Sequence, residues 1–173
     1  MTRMVLGLIA ILVLSSCSPG DSDSAEPAAD DAKTFKAEMD QFASALLPEL
    51  QAALGDAELK GMQAKFYEPG GNFGQWSYEA GGEFIEPPGT AEDVLDSVEE
   101  VLAQQGMEIE RPAGSQDISA MKGNIGVLVQ RALEADVETV SGLNVRISSI
   151  DRLKSGDDFA EDAEPEDYLA YLK

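Results

Sequence analysis

The chain has 173 residues, with 33 Asp and Glu against 12 Lys and Arg, one cysteine and no histidine. Its formal charge of −21 repels phosphate backbones and offers no basic footprint, which excludes nucleic acid as a partner class. Without histidine there is no Ser-His or Cys-His triad and no usual zinc site, and a single cysteine cannot close an internal disulfide.

The amino-terminal segment comes first. Arg3 and the α-amino group precede Met4 to Leu14, which is apolar apart from Gly7. A helix of that length rises about 16 Å, well short of the roughly 30 Å hydrocarbon core. A charged start, a short apolar run and small residues after it read as an export signal rather than a membrane span. Leu14-Ser15-Ser16-Cys17 then resembles the lipobox of bacterial lipoproteins. The resemblance implies that Leu14, Ser15 and Ser16 are the recognition positions, with cleavage between Ser16 and Cys17. It also implies a diacylglyceryl thioether on Cys17, often joined by a further acyl chain such as palmitate on the new terminus. Two or more chains anchor stably where one binds only marginally. An ordinary signal cut nearby would leave an unpaired thiol in an exported protein, a liability that lipidation removes.

Residues 1–16 therefore read as signal peptide and 17–33 as the lipidated cysteine followed by an acidic tether. Ser18 to Lys33 is mostly Ala, Ser, Pro, Gly and acids, and contains nothing that would form a core. Removing residues 1–16 takes away Arg3 and no acid, so the remainder is one unit more negative still. One domain is expected over 34–155, and 156–173 reads as a solvated acidic tail with a short terminal helix.

Within the domain, Phe35, Met39, Phe42, Leu46, Leu50 and Leu54 keep helical spacing. Pro48 predicts either a kink or a second helix opening at that residue. Lys60 to Glu68 alternates as a half-buried strand, and Pro69-Gly70-Gly71-Asn72 signals a turn. Trp76, Tyr78 and Ala80 share one face of the returning strand, which Gly81-Gly82 is expected to close. Thr90 to Gln105 is the clearest helix. Thr90 and Asp93 suit a capping box, Val94, Leu95, Val98, Val101 and Leu102 form one stripe, and Gly106 ends it. Strands are expected from Met107 and Ile109 to near Pro112, and at Ile118–Met121, Ile125–Leu133 and Val137–Ile150, with turns at Lys122-Gly123-Asn124 and Glu134-Ala135-Asp136. Pro165 to Lys173 reads as a helix that docks through Tyr168, Leu169, Tyr171 and Leu172. The order α-β-β-α-β-β-β-β predicts an α+β fold, two helices packed on a mostly antiparallel sheet in two layers.

Chemistry is sparse. There is no phosphate-binding loop and no dinucleotide glycine pattern. Asp157, Asp158, Glu161 and Asp162 lack the glycine and bidentate glutamate of a calcium loop, so no metal is expected. No cofactor and no catalytic residue is expected either. Phe73, Trp76 and Tyr78 are the candidate ligand or partner contacts, aromatics among glycines and amides, although core packing is the commoner role for such residues.

The plan of lipobox, acidic tether, W-x-Y hairpin, capped helix and valine-rich strands is similar to small actinobacterial lipoproteins with α+β domains. That resemblance implies a membrane-anchored domain with an accessory role on the outer face of the cell membrane, and it brings no catalytic residues. The expectation is a non-enzymatic accessory domain of the cell envelope that presents an acidic surface to a protein partner. The alternatives are a carrier holding a lipid or glycan between sheet and helices, and a hydrolase with paired carboxylates.

Overall fold

The computed structural model of the protein describes residues 31–70, 74–132, 140–155 and 158–173. Its elements are α1 (Asp31–Ala53), β1 (Glu58–Tyr67), β2 (Gln75–Ile85), α2 (Ala91–Gln104), β3 (Glu108–Glu110), β4 (Asp117–Lys122), β5 (Ile125–Arg131), β6 (Gly142–Ser149), β7 (Leu153–Lys154), α3 (Phe159–Asp162), β8 (Glu166–Asp167) and a 3-10 helix over Tyr168–Leu172. The architecture is α+β, with the helices laid on an antiparallel sheet of order β3-β4-β5-β6-β2-β1-β8, and β7 beside the start of β2. The chain first makes the β1–β2 hairpin. α2 then carries it to the far edge, and β3 to β6 meander back until β6 pairs with β2.

α1 is one helix through Pro48 rather than two. The proline forgoes a bond in the preceding turn. Leu46, Leu47 and Leu50 around it are fully buried, and that packing holds the helix together. The helix begins at Asp31, inside the stretch expected as tether. α2 follows the expected pattern closely. Thr90 and Asp93 form the reciprocal capping box, and Val94, Leu95, Val98, Val101 and Leu102 are all buried. Gly106, at φ 73°, takes the left-handed turn that ends the helix.

Gly81-Gly82 does not close β2, which runs on to Ile85. The pairing of β1 with β2 shifts between Lys60 and Gln63, and a Cβ on Gly82 would lie 2.7 Å from the Lys60 carbonyl and 3.0 Å from the Met62 sulfur. The glycine serves a close approach at a bulge, not a turn. The last strand of the meander spans Gly142–Ser149 rather than starting at Val137, and the turn expected at Glu134-Ala135-Asp136 lies outside the described residues.

The acidic tail is packed, not merely solvated. Phe159 meets Phe66 edge-on at 5.8 Å, Ala160 is buried, and Tyr168 is 0 % exposed, while Glu161, Asp162 and Glu164 point outward. Its terminal turn docks as expected but is 3-10 rather than α, with Asp167 accepting from the Leu169 N–H. Residues 159–172 thus run along β1, which would otherwise be a long open edge.

Candidate functional site

The space between sheet and helices is filled. Phe35, Met39, Leu46, Leu50, Tyr78, Phe84, Leu95 and Leu102 occupy it, each 4 % exposed or less. Surface hollows lie elsewhere. One, between α1 and α2, is lined by Glu49, Ala52, Ser97, Glu100 and Gln104. Another, at the start of α1, is lined by Asp31, Thr34, Asn124, Asp151 and Arg152. Among the described residues no group of three or more His, Cys, Asp or Glu could hold a metal ion, and no helix is long and apolar enough to cross a membrane.

One polar cluster lies half-buried under the C-terminal segment. Asp40 on α1 accepts hydrogen bonds from the Tyr168 hydroxyl at 2.6 Å, the Tyr78 hydroxyl at 3.1 Å and the Lys36 ammonium at 2.5 Å. Lys36 also reaches Glu166 at 3.4 Å. Burial, and then the Asp40 hydrogen bond, push the Tyr168 phenol far above its usual range. Burial and the Asp40 charge do the same to Tyr78, and burial lifts Tyr171 to about 12. Burial works against the Lys36 ammonium, but the Asp40 and Glu166 carboxylates together hold its pKa above the ordinary value. Neutral phenols donating to one carboxylate fasten the tail to α1, and they offer no group poised to exchange protons near neutrality. The i,i+4 spacing of Lys36 and Asp40 is visible in the sequence, but nothing there shows that two distant tyrosines converge on it.

Tyr78, one of the aromatic candidates, takes the core role. It is 1 % exposed, and its ring meets Phe66 in a tilted pair with centroids 4.4 Å apart. Trp76 is half-buried at the start of β2, opposite Leu153 of β7. Phe73, and with it Leu14, Ser15, Ser16 and Cys17, lie outside the described residues.

The surface has two unlike ends. The outer face of the sheet, away from the helices, is uncovered among the described residues. Residues there alternate with the buried ones, and cross-strand register sets the rows. At one end the β1–β2 and β4–β5 connections and the segment after β6 come together with the start of α1. The three large apolar side chains exposed among the described residues all sit at this end: Tyr67 at 39 %, Met121 at 46 % and Ile150 at 47 %. Tyr67 is paired with Ser77, and the Arg152 guanidinium donates to the Ser77 hydroxyl at 2.6 Å. Met121 is paired with Gly126, and Ile150 lies over that glycine, with Cγ1 3.2 Å from where a Cβ would stand. Lys154 borders the same rim, whereas Lys122 turns to the helix side and donates to the Gln105 carbonyl at 2.7 Å. The opposite end carries exposed Asp56, Glu58, Glu86, Glu92, Asp93 and Asp117. The apolar rim escapes a motif search because its members come from three separate strand ends. Its one local signal is that Tyr67 and Met121 stand where the alternation calls for polar residues.

No protein family model, curated protein or solved structure matches this chain.

Proposed function

We propose that the protein is a lipid-anchored, non-enzymatic accessory domain of the cell envelope that holds an acidic surface toward a protein partner. The observation that carries this reading is the division of the surface. The chain leading back to Cys17 enters α1 at the end bearing the apolar rim; exposed acids occur at both ends, but the far end, with Glu86, Glu92, Asp93 and Asp117, bears no large exposed apolar residue among those described. An acidic face held away from the anchor suits a cationic patch on an envelope protein, because complementary charge steers encounter and fixes register. The filled layer between sheet and helices supports an adaptor over a carrier, since a carried lipid or glycan needs a cavity of several hundred Å³.

Two measurements test it. Cys17→Ala should move the protein from the membrane to the soluble fraction, and the intact mass of the wild type should show an acylated terminus at Cys17. Equal partitioning of the two forms would overturn the anchor. A photo-crosslinker at Glu92 should capture one envelope protein, with capture lost when Glu86, Asp93 and Asp117 are changed to Lys. Capture unaffected by that charge reversal would overturn the acidic interface.

A further inference from the structure

We infer that the rim of Tyr67, Met121 and Ile150 is a membrane-contact surface that seats the domain on the lipid leaflet. The inference rests on the reading of Cys17 as the lipid anchor. Three observations converge on it.

The first is placement. The large exposed apolar residues are not scattered over the sheet but gathered at one end of its outer face. A scattered leucine or isoleucine is ordinary, whereas Met121 and Ile150 adjoin over Gly126 and Tyr67 stands on the same row across Ser77 and Arg152, so the three line one rim. Gly126 contributes by lacking a side chain. Ile150 lies flat across it toward Met121, so two side chains from β4 and the end of β6 make one surface.

The second is composition. A tyrosine, two aliphatic residues and long cations at the border form the side-chain set that suits the boundary of lipid and water. Tyrosine places its ring among headgroups with its hydroxyl wet, and lysine and arginine lay their stems along apolar surface while the charge stays in water. Arg152, tied to Ser77 between Tyr67 and Ile150, stands in that position. Glu68, Glu108 and Asp151 also border the rim, so contact is made by the apolar residues rather than by attraction of anionic headgroups.

The third is the length of the chain outside the structure and where it ends. Residues 18–30 separate Cys17 from Asp31. Fully extended, such a segment spans at most roughly 50 Å, and a relaxed chain spans about 20 Å. Asp31 and Thr34 line the same hollow as Asn124, Asp151 and Arg152, beside Ile150, so the anchor delivers this end of the domain to the bilayer surface. At such an enforced proximity a contact too weak to bind a membrane alone is occupied most of the time. A lipid surface is therefore the occupant that the connectivity selects.

The test uses the full lipidated chain in vesicles of phosphatidylethanolamine and phosphatidylglycerol. With Cys17 acylated, a single introduced cysteine is the one thiol available for a spin label. Labels are placed by Met121→Cys, Ile150→Cys and, at the opposite end, Glu92→Cys. Oxygen accessibility relative to a water-soluble nickel chelate should be several-fold higher at 121 and 150 than at 92, and this difference should vanish without vesicles. Met121→Asp combined with Ile150→Asp should abolish immersion of a label at Tyr67→Cys while leaving the protein membrane-bound. Both sites are half-exposed, and circular dichroism checks that the fold persists. If the protein is acylated and membrane-bound but 121 and 150 are as wet as 92, the rim inference falls and the anchor stands. If the intact mass shows a free Cys17 thiol, the anchor falls and takes this inference with it. Protection of 121 and 150 on whole cells but not on protein-free vesicles would reassign the rim to a protein and overturn the lipid contact.

Discussion

Two glycines on the same sheet show how a missing Cβ can matter in opposite ways. At Gly82 the neighbours are the Lys60 carbonyl and the body of Met62, backbone and near-backbone atoms that cannot step aside. At Gly126 the neighbour is the Ile150 side chain, which is free to lift into solvent. Gly82→Ala should therefore cost about 1–3 kcal/mol by overpacking. Gly126→Ala should leave the urea midpoint nearly unchanged, while raising the exposure of Ile150. A Gly82→Ala midpoint equal to wild type would mean that the bulge between Lys60 and Gln63 is not fixed by this contact. The sequence offered Gly82 as a strand-ending signal and placed Gly126 inside a strand. It misread Gly82 because local composition cannot distinguish a residue that ends a strand from one that lets a bulged neighbour come close. The partner atoms are contributed by β1, and only pairing reveals them.

At the scale of elements, the helices and most of the strands were legible because each carries its own period. The α2 stripe and its capping box lie wholly within Thr90–Leu102, so nothing remote had to be known. The C-terminal segment was half legible. Its aromatic face announced docking, but its 3-10 geometry and its partner did not, because the partner is Asp40, 128 residues away from Tyr168. Tyr168→Phe removes a hydroxyl donated to a carboxylate and should cost about 1.5–3 kcal/mol. Its pH signature separates it from a packing change. The folded state holds the phenolic protons of Tyr168 and Tyr78 more tightly than the unfolded chain, whose tyrosines titrate near 10.0. This contribution is complete below that value. Above it the unfolded chain sheds protons that the folded one keeps, so stability falls as pH rises through 10 and beyond. Urea midpoints measured from about pH 8 to about pH 11 should decline at the alkaline end, less steeply in Tyr168→Phe. Equal slopes would remove the hub from the alkaline response.

At the scale of the molecule, a charge of −21 on a chain of 173 residues is a standing internal pressure. Partnered cations relieve it in places. Arg111, half-buried, contacts Glu92, Asp96 and Glu99 together, and Lys36 joins Asp40 to Glu166. Among the described residues most acids form no ion pair, and their mutual repulsion is long-ranged and open to screening. The melting temperature should therefore rise as sodium chloride is raised from about 0.01 M to about 0.15 M, the range over which the screening length contracts from about 30 Å to about 8 Å. A fall over that range would show that ion pairs outweigh repulsion. The net charge was plain from composition. The gathering of acids at the end far from the rim was not, because they belong to loops, strand ends and the first turn of α2, scattered from Asp56 to Asp117, and only the fold collects them.

The joint between β2 and β6 governs when this domain can exist at all. Tyr78 and Ser149 meet across it though 71 residues apart in the chain. A chain that emerges from its N-terminus offers the β1–β2 hairpin early, yet the strand that joins it to the rest of the sheet, Gly142–Ser149, comes close to the end. A fragment cut before Gly142 leaves β2 and β5 without their shared neighbour and should not hold the fold.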